Sequence, residues 1–114
     1  MSAAGNGMSK AAGVRTKKTG AITIAHAEKS RRGRYWTNTS AGEAELVYTL
    51  GAGDSMIIKS TFVPIEARGG GVALALVKQA VKDAKERGLK VDPVCPYVGR
   101  LFDRHPEWRE LRAP

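Results

Sequence analysis

The sequence predicts a small α/β domain of the α+β kind: a three-stranded antiparallel meander, then a helix, a parallel strand and short C-terminal helices. Three observations carry this. Residues 34–37, 44–50 and 56–63 are short β-branched, aromatic and aliphatic runs, separated by turn-forming stretches at 38–42 and 51–54. Such short turns leave no room for a crossover, so these strands pair antiparallel. Residues 70–87 then carry apolar side chains at helical spacing, and residues 89–95 read as one more strand. A right-handed strand, helix, strand connection lays that last strand parallel to 56–63. At 114 residues the chain has room for one domain with one modest core.

Taken in order, residues 1–19 are small residues and Lys without periodicity, which predicts disorder, with 1–7 reading as a flexible leader and Met8 as an alternative start or a junction. Residues 21–26 alternate and fit a short strand with few apolar partners; its role is open, and His26 is expected at the surface. Charge marks the same division. Before Tyr35 there are eight Lys and Arg against the single Glu28, while the remaining 80 residues hold 11 basic and 10 acidic side chains. The expected organisation is therefore a basic arm over 1–28 and a folded domain over 29–114. An arm of this kind is ordinarily a solvated tail; its charge also permits contact with nucleic acid or an acidic partner, and only through the arm.

In the third strand, strict alternation places Met56, Ile58, Ser60 and Phe62 on one face and Ile57, Lys59, Thr61 and Val63 on the other, and Pro64 ends the ladder. The helix buries Val72, Ala73, Leu76, Val77, Ala80, Val81 and Ala84, turns Lys78, Lys82, Asp83, Lys85 and Glu86 outward, and stops at Gly88. Pro93 interrupts the following strand, as at an edge or where a strand parts from its neighbour. Pro96 suits the first position of another helix, with Tyr97, Val98, Leu101 and Phe102 as its apolar stripe. His105-Pro106 ends it, and 107–111, with Trp108, forms a last turn.

Cys95 is the only cysteine, so no internal disulfide can form. No apolar run is long enough to span a membrane and no signal-peptide core is present, which predicts a soluble cytoplasmic protein without membrane contact. Oligomeric state is not written in the sequence. No cluster of metal ligands is evident either, and no metal is expected.

The stretch richest in chemistry is Arg68-Gly69-Gly70-Gly71-Val72-Ala73. Three glycines leave backbone N–H groups uncovered where a helix begins, and the positive end of the helix dipole adds to them, an arrangement suited to phosphate. An ATP-type loop is excluded because Gly71 is followed by Val72 and Ala73 rather than Lys and Ser or Thr. A dinucleotide fingerprint is imitated by Gly69, Gly71 and Asp92, but Leu74 stands at the third glycine position and the chain is too short for two mononucleotide halves. An ordinary glycine-rich turn is the plain alternative.

This loop, between a strand and an amphipathic helix, resembles the acetyl-coenzyme A loop of the GCN5-related N-acetyltransferases. Val94-Cys95-Pro96-Tyr97-Val98 and Arg104-His105-Pro106-Glu107 resemble the small single-domain subgroup of that superfamily, and the resemblance runs over residues 29–111. It implies a reduced acetyltransferase-like (GNAT-like) fold in which the strands at 56–63 and 89–94 splay apart to admit the pantetheine arm. Ser60-Thr61 stands where the subgroup has a His-Thr pair, so a role for that His does not carry over.

The resemblance implies acetyl transfer from acetyl-coenzyme A, as co-substrate, to an amine, either a lysine on a peptide or a polyamine. Transfer needs a held donor, a polarised carbonyl, a neutral amine and a proton for the departing thiolate. Amides of Gly69, Gly70, Gly71, Val72 and Ala73 are expected to hold the pyrophosphate, with Arg68 positioning the loop or meeting phosphate. A backbone N–H near Phe62 or Val63 would polarise the carbonyl. Tyr97 is the candidate acid for the sulfur or, alternatively, a ring packed under its own helix. Cys95, just before a helix start, is either a nucleophile with a depressed pKa or a small buried apolar residue. His105 fits a general base or a helix-capping role. A non-catalytic module binding coenzyme A is the rival function.

Overall fold

The computed structural model describes residues 14–114. One mixed sheet of six strands runs in sequence order: β1 (Arg15–Thr19), β2 (Ile22–Lys29), β3 (Arg32–Thr39), β4 (Gly42–Gly51), β5 (Ser55–Phe62) and β6 (Lys90–Asp92). The first five pair antiparallel, and β6 lies parallel to β5. Between β5 and β6 run a single 3₁₀ turn (Ile65–Ala67) and the long helix α1 (Val72–Glu86); α2 (Pro96–Arg104) and a 3₁₀ segment (Pro106–Leu111) follow.

The mixed α+β class, the meander, α1, the parallel strand and the C-terminal helices agree with the sequence, but the strand count does not. Within the arm expected over 1–28, only residues 21–26 were read as a strand, with no role assigned; that strand forms, and with Arg15–Thr19 it makes a hairpin that extends the meander from three strands to five. Ile24 is fully buried against the core, and this gives the basic hairpin its reason to fold onto the domain. The leader at 1–7, Met8 and the rest of the expected disordered stretch up to residue 13 lie outside the described residues.

Fully buried Ile24, Tyr35, Leu46, Tyr48, Met56 and Ile58 form the sheet's inner face, and α1 lays Leu76, Val77, Ala80 and Ala84 on it. Leu76, Val77, Ala80, Val81 and Ala84 are buried as the periodicity predicts, while Val72 and Ala73 are only partly buried, Ala75 and Gln79 are buried as well, and Asp83 is a correction. Asp83 was assigned to the solvent side and is 3% exposed, because Tyr35 and Lys17 reach it from the sheet.

The second correction lies in β5. Leu46 pairs with Thr61 and Val47 with Ser60, but Tyr48 pairs with Ile58, so the ladder skips a residue and Lys59 is the bulge. Alternation therefore reverses after Ile58. Val63 is buried and Thr61 faces inward with Leu46, while Ser60 and Phe62 turn out to solvent, Phe62 at 54% exposure. Period-two reasoning paired Phe62 with Ile58; one extra residue put them on opposite faces.

The strand β6 is held for three residues only, Ser55↔Lys90 to Ile57↔Asp92, after which Pro93 turns the chain away. The last tie is the Cys95 amide, which donates to the Ile58 carbonyl at 2.9 Å. On its other side β6 is covered by the C-terminus, where the Ala113 amide donates to the Val91 carbonyl at 2.7 Å. At α2's end the Phe102 and Trp108 rings meet at 5.2 Å, and His105 stacks on Trp108 with its Nδ1 2.8 Å from the Leu101 carbonyl. Of the two roles open to His105, this contact is the capping one. Among the described residues no helix is long and apolar enough to cross a membrane.

Candidate active site

Where β5 and β6 part, the start of α1 and Tyr97 of α2 enclose a cleft of about 400 Å³. Thr61, Phe62 and Val63 form its strand wall, Arg68, Gly69 and Gly71 its loop wall, and Val72, Ala73 and Leu74 its helical end. Gly69 and Gly71 have φ of +88° and +82°, a left-handed backbone that a side chain would strain. These two turns aim the chain into α1. Gly71 is the N-cap and donates no side-chain cap, and the first intrahelical bond runs from the Ala75 amide to the Gly71 carbonyl at 3.0 Å. Amides of Val72, Ala73 and Leu74 thus lack helical acceptors, and the first turn carries no acidic side chain to compete for them.

Arg68, in the loop wall, reaches back toward β5. Its Nε donates to the Val63 carbonyl at 2.9 Å, tying the loop back to the end of β5. The cleft brings together eight of the expected residues: Phe62, Val63, Arg68, Gly69, Gly71, Val72, Ala73 and Tyr97. Gly70 and Cys95 do not line it.

Cys95 is 6% exposed, in the N-cap position of α2, with Sγ 3.6 Å from the Thr61 hydroxyl oxygen. Burial pushes its thiol up, but the Val98 and Tyr97 amides and the Thr61 hydroxyl outweigh it, and the net result is a pKa below the ordinary value. Tyr97 is half-buried, and burial followed by repulsion from Cys95 raises its phenol, so it keeps its proton at neutral pH. Thr61, which reaches both Cys95 and the cleft, was not among the residues the sequence singled out. No signal in the sequence marks the bulge that turns it inward.

Among the described residues no three His, Cys, Asp or Glu side chains stand close enough to hold a metal ion. No protein of curated function matches this chain. A family model described as GCN5-related N-acetyl-transferase matches residues 34–111, a span that takes in the whole cleft, the glycine loop and α2. The chain belongs to the GCN5-related N-acetyltransferase family.

Proposed function

We propose that the protein transfers the acetyl group of acetyl-coenzyme A to an amine, with the cleft at the start of α1 as the donor site. The observation that carries this reading is an uncapped, amide-lined helix start opening into a cleft that runs between diverging strands to a protonated tyrosine. The pyrophosphate fits against the amides of Gly71, Val72 and Ala73, with Gly69 and Gly70 in the approach to them. Past Ile57 no residue of β6 pairs with β5, so the strand edge by Phe62 and Val63 is open for the thioester carbonyl to take a backbone N–H.

The amine nitrogen attacks the thioester carbon, the carbon–sulfur bond breaks, and the amine's surplus proton leaves to solvent. Tyr97 gives its proton to the departing thiolate and is reprotonated from water. Direct attack fits better than an acetyl-cysteine, because Cys95 Sγ is buried behind Thr61 and does not line the cleft. Cys95 then acts as a positioning group that holds Thr61 and the start of α2.

One observation favours the rival reading, a non-catalytic coenzyme A module. Ser60 is exposed on the outer face, so no basic side chain there faces the cleft. Incubating the protein with acetyl-coenzyme A and a panel of peptidyl lysines and polyamines, while following free thiol, separates the two. Amine-dependent thiol release supports the enzyme. Binding of acetyl-coenzyme A without turnover on any amine supports the module.

A further inference from the structure

The family match begins at Arg34 and leaves out the β1–β2 hairpin, yet this hairpin builds half of a second cleft. That cleft, about 490 Å³, is lined by Arg15, Lys17, His26 and Glu28 of the hairpin and by Asp83, Glu86 and Arg87 at the far end of α1. Eleven residues of helix separate Asp83 from Val72, roughly 17 Å at 1.5 Å per residue, so it is distinct from the donor site.

Its floor is a connected polar network. His26 stacks on Tyr35 at 4.1 Å, and its Nε2 lies 2.6 Å from the Tyr48 hydroxyl. Tyr48 donates to Glu28 at 2.6 Å, and Arg87 also donates to Glu28. Tyr35 and Lys17 donate to Asp83 at 2.7 and 2.6 Å. Gly33 makes this possible: a Cβ there would sit inside the Tyr48 ring, so only glycine lets that ring cross β3 to reach the hairpin.

Proton bookkeeping fixes what the cleft offers. Glu28, held ionised chiefly by Arg87, can only accept, so Tyr48 spends its single proton on it and must accept from His26 Nε2–H. Neutral His26 therefore presents a bare Nδ1 lone pair, 4.0 Å from Asp83 Oδ2. Lys17 and Arg87 are committed to Asp83 and Glu28. Among the described residues Arg15 and Glu86 have no ionic partner, and Arg15 pairs directly across from His26 in the sheet, on the same face. Among the described residues, then, the lining holds one cation of the hairpin and one carboxylate of α1 outside any ion pair, together with the His26 acceptor, and every lining residue is polar.

We propose that this second cleft binds a small zwitterion, a polar free α-amino acid, its carboxylate on Arg15 and its ammonium on His26 Nδ1 and Glu86. The ligand would bridge the hairpin to α1, the helix whose other end forms the donor site. This rests on the cleft alone and not on the acetyltransferase reading.

The test is calorimetric and NMR titration of the full chain with L-glutamine and L-serine, beside N-acetyl-L-glutamine and L-glutamine amide, which each lack one of the two charges. Saturable binding is expected, with amide shifts confined to β1, β2 and the end of α1. Each single-charge analogue, and each of the exposed substitutions Arg15→Gln and Glu86→Gln, should weaken it by about tenfold or more, the loss of one charged hydrogen bond. Gly33→Ala, which displaces Tyr48, should abolish it; the two surface substitutions keep the test valid if that variant does not fold. Absence of saturation with both amino acids, equal binding of the amide analogue, or indifference to both surface substitutions overturns the proposal. Acetyl-coenzyme A binding in the same samples reports on the donor site separately.

Discussion

Gly71 holds φ at +82° with nothing within 4 Å of where its Cβ would stand. Gly71→Ala therefore isolates backbone strain, expected to be about 1 kcal/mol of stability by thermal or urea unfolding. Gly71→Glu adds to that strain a carboxylate at the amide cluster. At Tyr97, removal of the hydroxyl in Tyr97→Phe should lower kcat by about 10²-fold with little change in KM, and should abolish any alkaline limb of the pH profile that reports the phenol. On the proposed direct attack, Cys95→Ala should keep acetyl transfer within about tenfold of the native rate; a loss of 10³-fold or more, with a trapped acetyl-enzyme on the native chain, would make Cys95 the nucleophile. The glycine loop, Tyr97 and the Cys95 thiol were singled out because each carries its chemistry in its own residue type. Thr61 was not, since its inward direction comes from a bulge at Lys59, and a bulge has no signature in a run of residues that all suit a strand.

The hairpin of β1 and β2 is where sequence reading failed most. Arg15-Thr16-Lys17-Lys18-Thr19 looks like a solvated basic arm, and its partners Asp83 and Gln79 sit sixty or more residues away on a helix. Local composition cannot reveal such a pairing. Asp83 was misplaced for the same reason: a charge at helical spacing reads as surface until a Lys and a Tyr arrive from another element. The hairpin's docking should depend on pH. His26 is held below its ordinary pKa of 6.5, mainly by burial, so its protonation favours the unfolded chain. Stability is then fully present above 6.5 and declines as pH falls below it. Glu28, lowered by its Arg87 hydrogen bonds, and Asp83, lowered because its Lys17 and Tyr35 bonds outweigh burial, extend the loss below 4.5 and 3.8. At the other end, burial raises Tyr35 and Tyr48, so unfolding becomes easier above pH 10 as only the unfolded chain ionises them. Urea unfolding across pH 2.5 to 11 checks this; a His26→Gln variant should lose the step just below 6.5 and keep the more acidic and the alkaline ones.

Considered as one body, the chain places two clefts at opposite ends of α1. The end that the family model matches carries the amide cradle, the diverging strands and Tyr97, and the class and order of elements there followed from turn chemistry and helical period. The other end carries a closed polar network whose members are scattered over four strands and a helix, which is why no motif announced it. The acetyltransferase account stands on the first of these. Its most direct test is calorimetric titration of acetyl-coenzyme A and coenzyme A into the native chain, Gly71→Ala and Gly71→Glu, with circular dichroism to verify folding. The account predicts binding of both ligands by the native chain, slightly weakened binding by Gly71→Ala and none detectable by Gly71→Glu. Equal binding by folded Gly71→Glu, or no binding by the native chain, would contradict it.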